Sequence, residues 1–163
     1  MVASGDIANL DEQVKQAIRK KDVASLVPLA LQYNTFADQL DVQDPANASL
    51  YCEVKNKAAE VYNEISNLMH LPNAKLLAAL YHIQGKNFDR AYKITDFLVK
   101  SSKGHRKDKF FDAKLITTVQ LLSLQDPQQA LKELHQVKGK VDPQVKEIIV
   151  KTAEIMKRWR KGD

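Results

Sequence analysis

Apolar residues recur every three or four positions along almost the whole chain, and this spacing predicts amphipathic helices rather than β-strands. The longest apolar stripe lies in the third predicted helix, at Leu50, Val54, Ala58, Val61, Ile65 and Leu68. Tyr51, Tyr62 and Met69 widen that stripe, so this helix is expected to pack against neighbours on two sides. The fourth predicted helix is apolar nearly all round, which predicts that it is buried.

Capping residues and prolines divide the pattern into eight predicted helices. Asp22 is a predicted N-cap. The pairs Asp126-Pro127 and Asp142-Pro143 each place proline at the favoured first position of a helix. Pro28 lies in the early turns of the second helix, where it either starts the regular helix or kinks it.

The connections between these helices are short. The predicted helices cover residues 6–20, 22–40, 45–71, 73–84, 87–99, 108–124, about 126–139, and 142 to near the C-terminus. The polar, basic stretch 100–109 contains Gly104 and is predicted to be a loop. Short links force consecutive helices to lie antiparallel. The sequence therefore predicts an all-α fold class, with about eight antiparallel helices stacked as hairpins in a single domain over residues 1–163.

The segment from Gly85 to Tyr92 resembles the turn between the two helices of a tetratricopeptide repeat, a helical hairpin of about 34 residues. In that family an aromatic residue at the turn is followed three positions later by Ala, where the two helices approach closely. Phe88 and Ala91 have this spacing, and Pro127 and Ala130 form a similar turn. The resemblance covers about residues 73–137 and implies a tetratricopeptide-like α-solenoid that binds a protein partner.

The chain departs from the family pattern in two ways. Ala91 and Ala130 are 39 residues apart, and the Trp-Leu-Gly-Tyr pattern of the first repeat helix is absent. The resemblance is therefore to a divergent solenoid, and a compact, non-repeating helical bundle remains the alternative.

Length and composition limit the class of protein. A chain of 163 residues favours one domain and is long enough to bury a core without metal or disulfide. One cysteine excludes an intramolecular disulfide, and five Gly and five Pro argue against an all-β fold. No secretory signal and no long apolar run are present. The expectation is a cytoplasmic or nuclear protein without a membrane span.

The net charge of +5 is unevenly distributed. Residues 1–70 carry six Lys/Arg against ten Asp/Glu, whereas residues 71–163 carry nineteen against ten. The asymmetry indicates either an acidic partner for the second half or a solvated, lysine-rich helical surface.

Two basic clusters in that half supply the candidate binding residues. They are Lys103, His105, Arg106, Lys107 and Lys109 in the predicted loop, and Lys157, Arg158, Trp159, Arg160 and Lys161 at the C-terminus. Cations beside an aromatic ring are typical of sites that grip phosphates and stack on a base. The alternative is a solvated loop, with Trp159 continuing the apolar stripe of the last helix.

Catalytic and metal-binding patterns are not found. The four histidines, His70, His82, His105 and His135, lack the spacing of a helical metal pair. Cys52 is expected to be a buried, inert thiol, and no phosphate-binding loop or nucleophile motif occurs. The chain is therefore predicted not to be an enzyme and to need no cofactor or metal.

These observations predict a non-catalytic protein–protein interaction or scaffold module, a subunit or adaptor of a larger assembly. The alternative is a nucleic-acid binder, of RNA in particular, that uses the basic second half. The last helix adds a third expectation. If its apolar face exceeds what the seventh helix can cover, that face must meet a partner or a second copy.

Overall fold

The computed structural model describes residues 4–104, 113–137 and 141–160, and these contain eight α-helices and no strand. The helices are α1 Ser4–Arg19, α2 Val23–Asp38, α3 Pro45–Met69, α4 Pro72–Gln84, α5 Phe88–Gly104, α6 Ala113–Ser123, α7 Pro127–His135 and α8 Pro143–Arg160. The predicted all-α class and the predicted succession of helices are confirmed. The predicted start of α6 at 108 lies outside the described residues. The predicted end of α7 at Gly139 is wrong, because α7 ends at His135, where the Gln136 N–H bonds back to the Glu133 and Leu134 carbonyls as the C-cap.

The predicted capping residues start their helices. The Asp22 carboxylate accepts a hydrogen bond from the Ser25 N–H at 3.2 Å, and Asp126 and Asp142 cap α7 and α8 in the same way. Each cap satisfies a backbone donor that the first helical turn leaves unpaired. Pro28 lies inside α2, five residues after its start, so the helix does not begin at this proline.

The predicted loop at 100–109 is wrong over its first five residues, because α5 continues to Gly104. Lys100 forms an ion pair with Asp96 one turn earlier, at 2.9 Å, and Leu98 and Val99 still pack against the core. Such a pair between positions i and i+4 supports a helix, and no helix-breaking residue precedes Gly104. A polar, lysine-rich composition therefore did not end the helix.

Each helix packs against the next one along the chain, which is compatible with a helical solenoid. Helix α4 is the centre of the fold, since α3, α5, α6 and α8 all pack on it. Its nearly uniform apolar character explains this position, and Leu76, Ala78, Ala79, Leu80 and Ile83 are fully buried. The predicted burial of this helix is confirmed.

Helix α8 returns to the middle of the molecule. Its buried residues Val145, Ile149, Ala153 and Met156 face α4, α6 and α7. The chain itself, through α4 and α6 as well as α7, therefore covers much of the apolar face of α8. This return also places the last turns of α8 opposite the corner where α2 ends and α3 begins.

Candidate functional site

A groove of 910 Å³ lies between α8 and the corner formed by the end of α2 and the start of α3. Leu40, Val42 and Ile155 are apolar residues of its lining. Its polar and aromatic lining residues are Asp38, Tyr51, Cys52, Gln84, Lys86, Lys151, Glu154, Arg158 and Trp159. The groove thus combines apolar surface with charged groups and aromatic rings, as partner-binding clefts commonly do.

A buried lysine lies beneath one side of the groove. The Lys55 side chain is fully buried, and its Nζ lies 2.9 Å from the Asp38 carboxylate and 3.2 Å from Asn34 Oδ1. The same ammonium lies over the Tyr51 and Tyr81 rings, at 5.4 and 5.3 Å from their centroids. Burial lowers the pKa of Lys55, and the neighbouring Asp38 carboxylate opposes that shift.

Asp38 joins three helices through its two carboxylate oxygens. Its Oδ1 pairs with Lys55 of α3, and its Oδ2 lies 3.1 Å from Lys151 Nζ of α8. Its one negative charge is therefore shared between two lysines. The ion pair with Lys151 joins the end of α2 to α8 at this point of the groove.

Gln84 contributes a buried acceptor to the groove lining. Its side chain is fully buried, and its Nε2 donates to Thr152 Oγ1 at 2.9 Å. The Thr152 hydroxyl gives its own hydrogen to the Ile148 carbonyl, so it must accept from Gln84. Gln84 Oε1 has no hydrogen-bond partner among the described residues. A buried acceptor without a donor is unfavourable by about 1–3 kcal/mol.

Two cations and an indole ring lie on the other side of the groove. Lys86 Nζ lies 4.9 Å from the centre of the Trp159 ring, a cation–π contact. Phe88 packs edge-on against the same indole, with centroids 6.2 Å apart. Lys86 and Arg158 are exposed, and no carboxylate of the described residues lies within ion-pair distance of either. Their charges remain available to a ligand.

The predicted binding residues fall in different places. Arg158 and Trp159 line the groove, and Lys157 is exposed on α8 outside it. Lys103 lies in α5 and Arg160 in α8. The remaining five, His105, Arg106, Lys107, Lys109 and Lys161, lie outside the described residues. Sequence reasoning missed Lys86, Lys151 and Gln84, since only the return of α8 brings them together.

His82 is held between two side chains of α3. Its ring is almost fully buried, with Nδ1 2.6 Å from Asn56 Oδ1 and Nε2 3.0 Å from the Glu60 carboxylate. The contact with His82 contributes most to holding the pKa of Glu60 below its usual range. Nε2 is within ion-pair distance of Glu60 but has no hydrogen-bond partner among the described residues. Through Nδ1 and this contact, His82 links α4 to α3.

Cys52 is the only cysteine of the chain and lines the groove. Burial raises the pKa of its thiol, although the positive charge of Lys86 lowers that pKa in part.

We expect iodoacetamide to alkylate Cys52 more slowly at neutral pH than a free cysteine peptide, because the thiolate is the reactive form. Lys86→Gln should slow the reaction further. Alkylation followed by mass spectrometry across a pH series checks both; a rate equal to that of the peptide would contradict them.

The described residues contain no group of three or more His, Cys, Asp or Glu side chains that could hold a metal ion. None of the described helices is long and apolar enough to span a bilayer. Comparisons with protein-family models, curated proteins and solved structures give no match to this chain.

Proposed function

We propose that this protein is a non-catalytic interaction module, a tetratricopeptide-like adaptor or subunit that holds a segment of a partner protein in the groove. The groove itself is the observation that supports the proposal: it is preformed between packed helices, has an apolar wall and carries two cations, Lys86 and Arg158, that have no carboxylate of the described residues within ion-pair distance. Grooves between packed helices commonly bind a helix or an extended peptide. The proposal places this action in the cytoplasm or nucleus, on the sequence alone.

The composition of the groove favours a protein partner. Val42 is 49% exposed at its edge, so a partner that covers it gains apolar contact. Arg158 and Trp159 belong to the residue types that contribute most to protein interfaces. Stacking of a nucleic-acid base on Trp159 is less favoured, because Lys86 already covers one face of the indole and Phe88 packs on it.

Photo-crosslinking at matched positions tests this function. Val42 lies in the groove, and Val27, three turns before Asp38 on α2, lies outside the groove lining. They are 49% and 41% exposed, so they present the same side chain to solvent. With p-benzoylphenylalanine at each position in the cells that make the protein, we expect a protein adduct from position 42 and none of that mass from position 27. Mass spectrometry then identifies the crosslinked protein.

A groove variant provides the control for this experiment. Ile155 is half-buried on the opposite wall, and Ile155→Arg should abolish the adduct while the protein stays folded by circular dichroism. The proposal fails if position 42 gives no protein adduct, if position 27 gives the same adduct, or if Ile155→Arg leaves the yield unchanged.

A further inference from the structure

We propose that the partner segment is acidic, with carboxylates that pair with Lys86 and Arg158. This inference rests on the proposed interaction function and specifies the chemistry of the ligand. Two observations support it: the surplus of positive charge and the apolar wall.

The charges in and beneath the groove do not cancel. Four cations, Lys55, Lys86, Lys151 and Arg158, stand against two carboxylates, Asp38 and Glu154. Both oxygens of Asp38 are engaged by Lys55 and Lys151, so this carboxylate does not neutralise Lys86 or Arg158. A cleft lined by an excess of one sign of charge concentrates ligands of the opposite sign.

The two free cations are held in position by their surroundings. The Trp159 ring lies against the Lys86 ammonium, which limits where that side chain can place its charge. Arg158 lines the same groove as Tyr51, and its charge opposes the rise in the pKa of Tyr51 that burial causes. Both cations therefore belong to the groove lining.

The charged and apolar parts of the groove together favour an acidic peptide over a nucleic-acid backbone. A phosphodiester backbone can pair with Lys86 and Arg158 but carries no apolar side chains for the apolar wall. Lys86 already covers one face of the Trp159 indole, which disfavours the stacking of a base there. An acidic peptide can pair with both cations and also cover the apolar wall.

The apolar wall adds a requirement for the sequence of this segment. Leu40, Val42 and Ile155 are lining residues and none of them is fully buried, so apolar side chains of the ligand find contact there. The ligand class is therefore a segment in which Asp or Glu alternates with large apolar residues.

Fluorescence anisotropy with two peptide pools tests this inference. The first pool contains short, fluorescein-labelled peptides in which Asp/Glu and Leu/Phe occupy mixed positions, and the second replaces every acid with Lys. We expect the full-length protein to bind the acidic pool at low salt and more weakly at physiological salt, and not to bind the basic pool. Lys86→Gln and Arg158→Gln should each weaken binding about tenfold.

Lys157→Gln is the matched control, since it removes the same charge from the neighbouring exposed position outside the groove. We expect it to change affinity less than about twofold. The acidic pool should also slow the alkylation of Cys52, which reports directly on occupancy of the groove. An equal effect of all three substitutions, or unprotected Cys52, overturns the inference.

Three further outcomes separate this inference from the proposed function. If an oligouridine competes with the acidic pool and depends equally on Lys86 and Arg158, the groove binds a nucleic-acid backbone and the inference falls. If neither peptide pool binds while the crosslink from position 42 persists, the acidic ligand is wrong and the interaction function stands. Loss of both the crosslink and the binding removes both proposals.

Discussion

Replacement of Asp38 by Ala is expected to lower the free energy of unfolding by about 3 kcal/mol, because it leaves the Lys55 ammonium buried without its counter-charge. Lys55 is completely buried, and its remaining polar contact is the hydrogen bond to Asn34. The two tyrosine rings over Nζ compensate only part of the loss. Urea unfolding followed by circular dichroism gives the change in midpoint at constant slope.

Substitution of the other member of the ion pair, Lys55, provides the control. Lys55→Met removes the buried charge and leaves Asp38 half-exposed with Lys151 as its partner, so it should cost less than about 1 kcal/mol. The double variant Asp38→Ala, Lys55→Met should then be almost as stable as Lys55→Met alone. If the two single effects simply add in the double variant, Asp38 and Lys55 are not coupled and the explanation is wrong.

The pH dependence has a definite sign. Burial lowers the pKa of Lys55 in the folded protein, so between that folded value and the unfolded value near 10.5 the unfolded chain binds more protons. Stability from this group therefore rises with pH across that window. Without Asp38, which opposes the lowering, the folded pKa of Lys55 falls further. The penalty of Asp38→Ala should consequently be smaller at about pH 10 than at about pH 7.

The sequence predicted the helices because the signals that define them are local. The apolar stripe of α3, the prolines and the three aspartate caps act within a few residues of their position, so neighbouring chain segments did not need to be known. The second apolar side of α3 was also visible, since Tyr51 and Tyr62 lie outside the main stripe. That side carries Lys55 into the core, one turn after Tyr51.

The groove could not be predicted in the same way. The ion pair between Asp38 and Lys151 joins residues 113 positions apart, and it depends on the return of α8 to α4. Neither residue carries a local sign of this contact, because isolated charged residues on helices are usually solvated. The basic C-terminal cluster drew attention to Arg158 and Trp159 by composition. Lys86 and Gln84 had no such signal, although Lys86 lies inside the turn that resembles a repeat.

Gly85→Ala is expected to lower the free energy of unfolding by about 2 kcal/mol, because α3 leaves no space for a side chain at this turn. A Cβ added to Gly85 would lie 2.5 Å from Asn56 Nδ2 and 2.8 Å from the Cys52 carbonyl oxygen. Asn56 cannot move freely, since its Nδ2 donates to the Cys52 and Gly85 carbonyls and its Oδ1 contacts His82. Thermal and urea unfolding of the variant measure the loss.

The cause is the close approach of two helices rather than backbone conformation. Gly85 has a φ of −86°, and Gln39 and Gln136 occupy the same C-cap position of α2 and α7 with φ of −87° and −93°. Gln39→Ala, at an exposed cap, should therefore change stability by less than about 0.5 kcal/mol.

In an Asn56→Ala background the penalty of Gly85→Ala should shrink but persist, because the Cys52 carbonyl belongs to the backbone of α3. An unchanged penalty in that background would mean that Asn56 does not supply the contact, and equal effects at positions 39 and 85 would make the cause conformational.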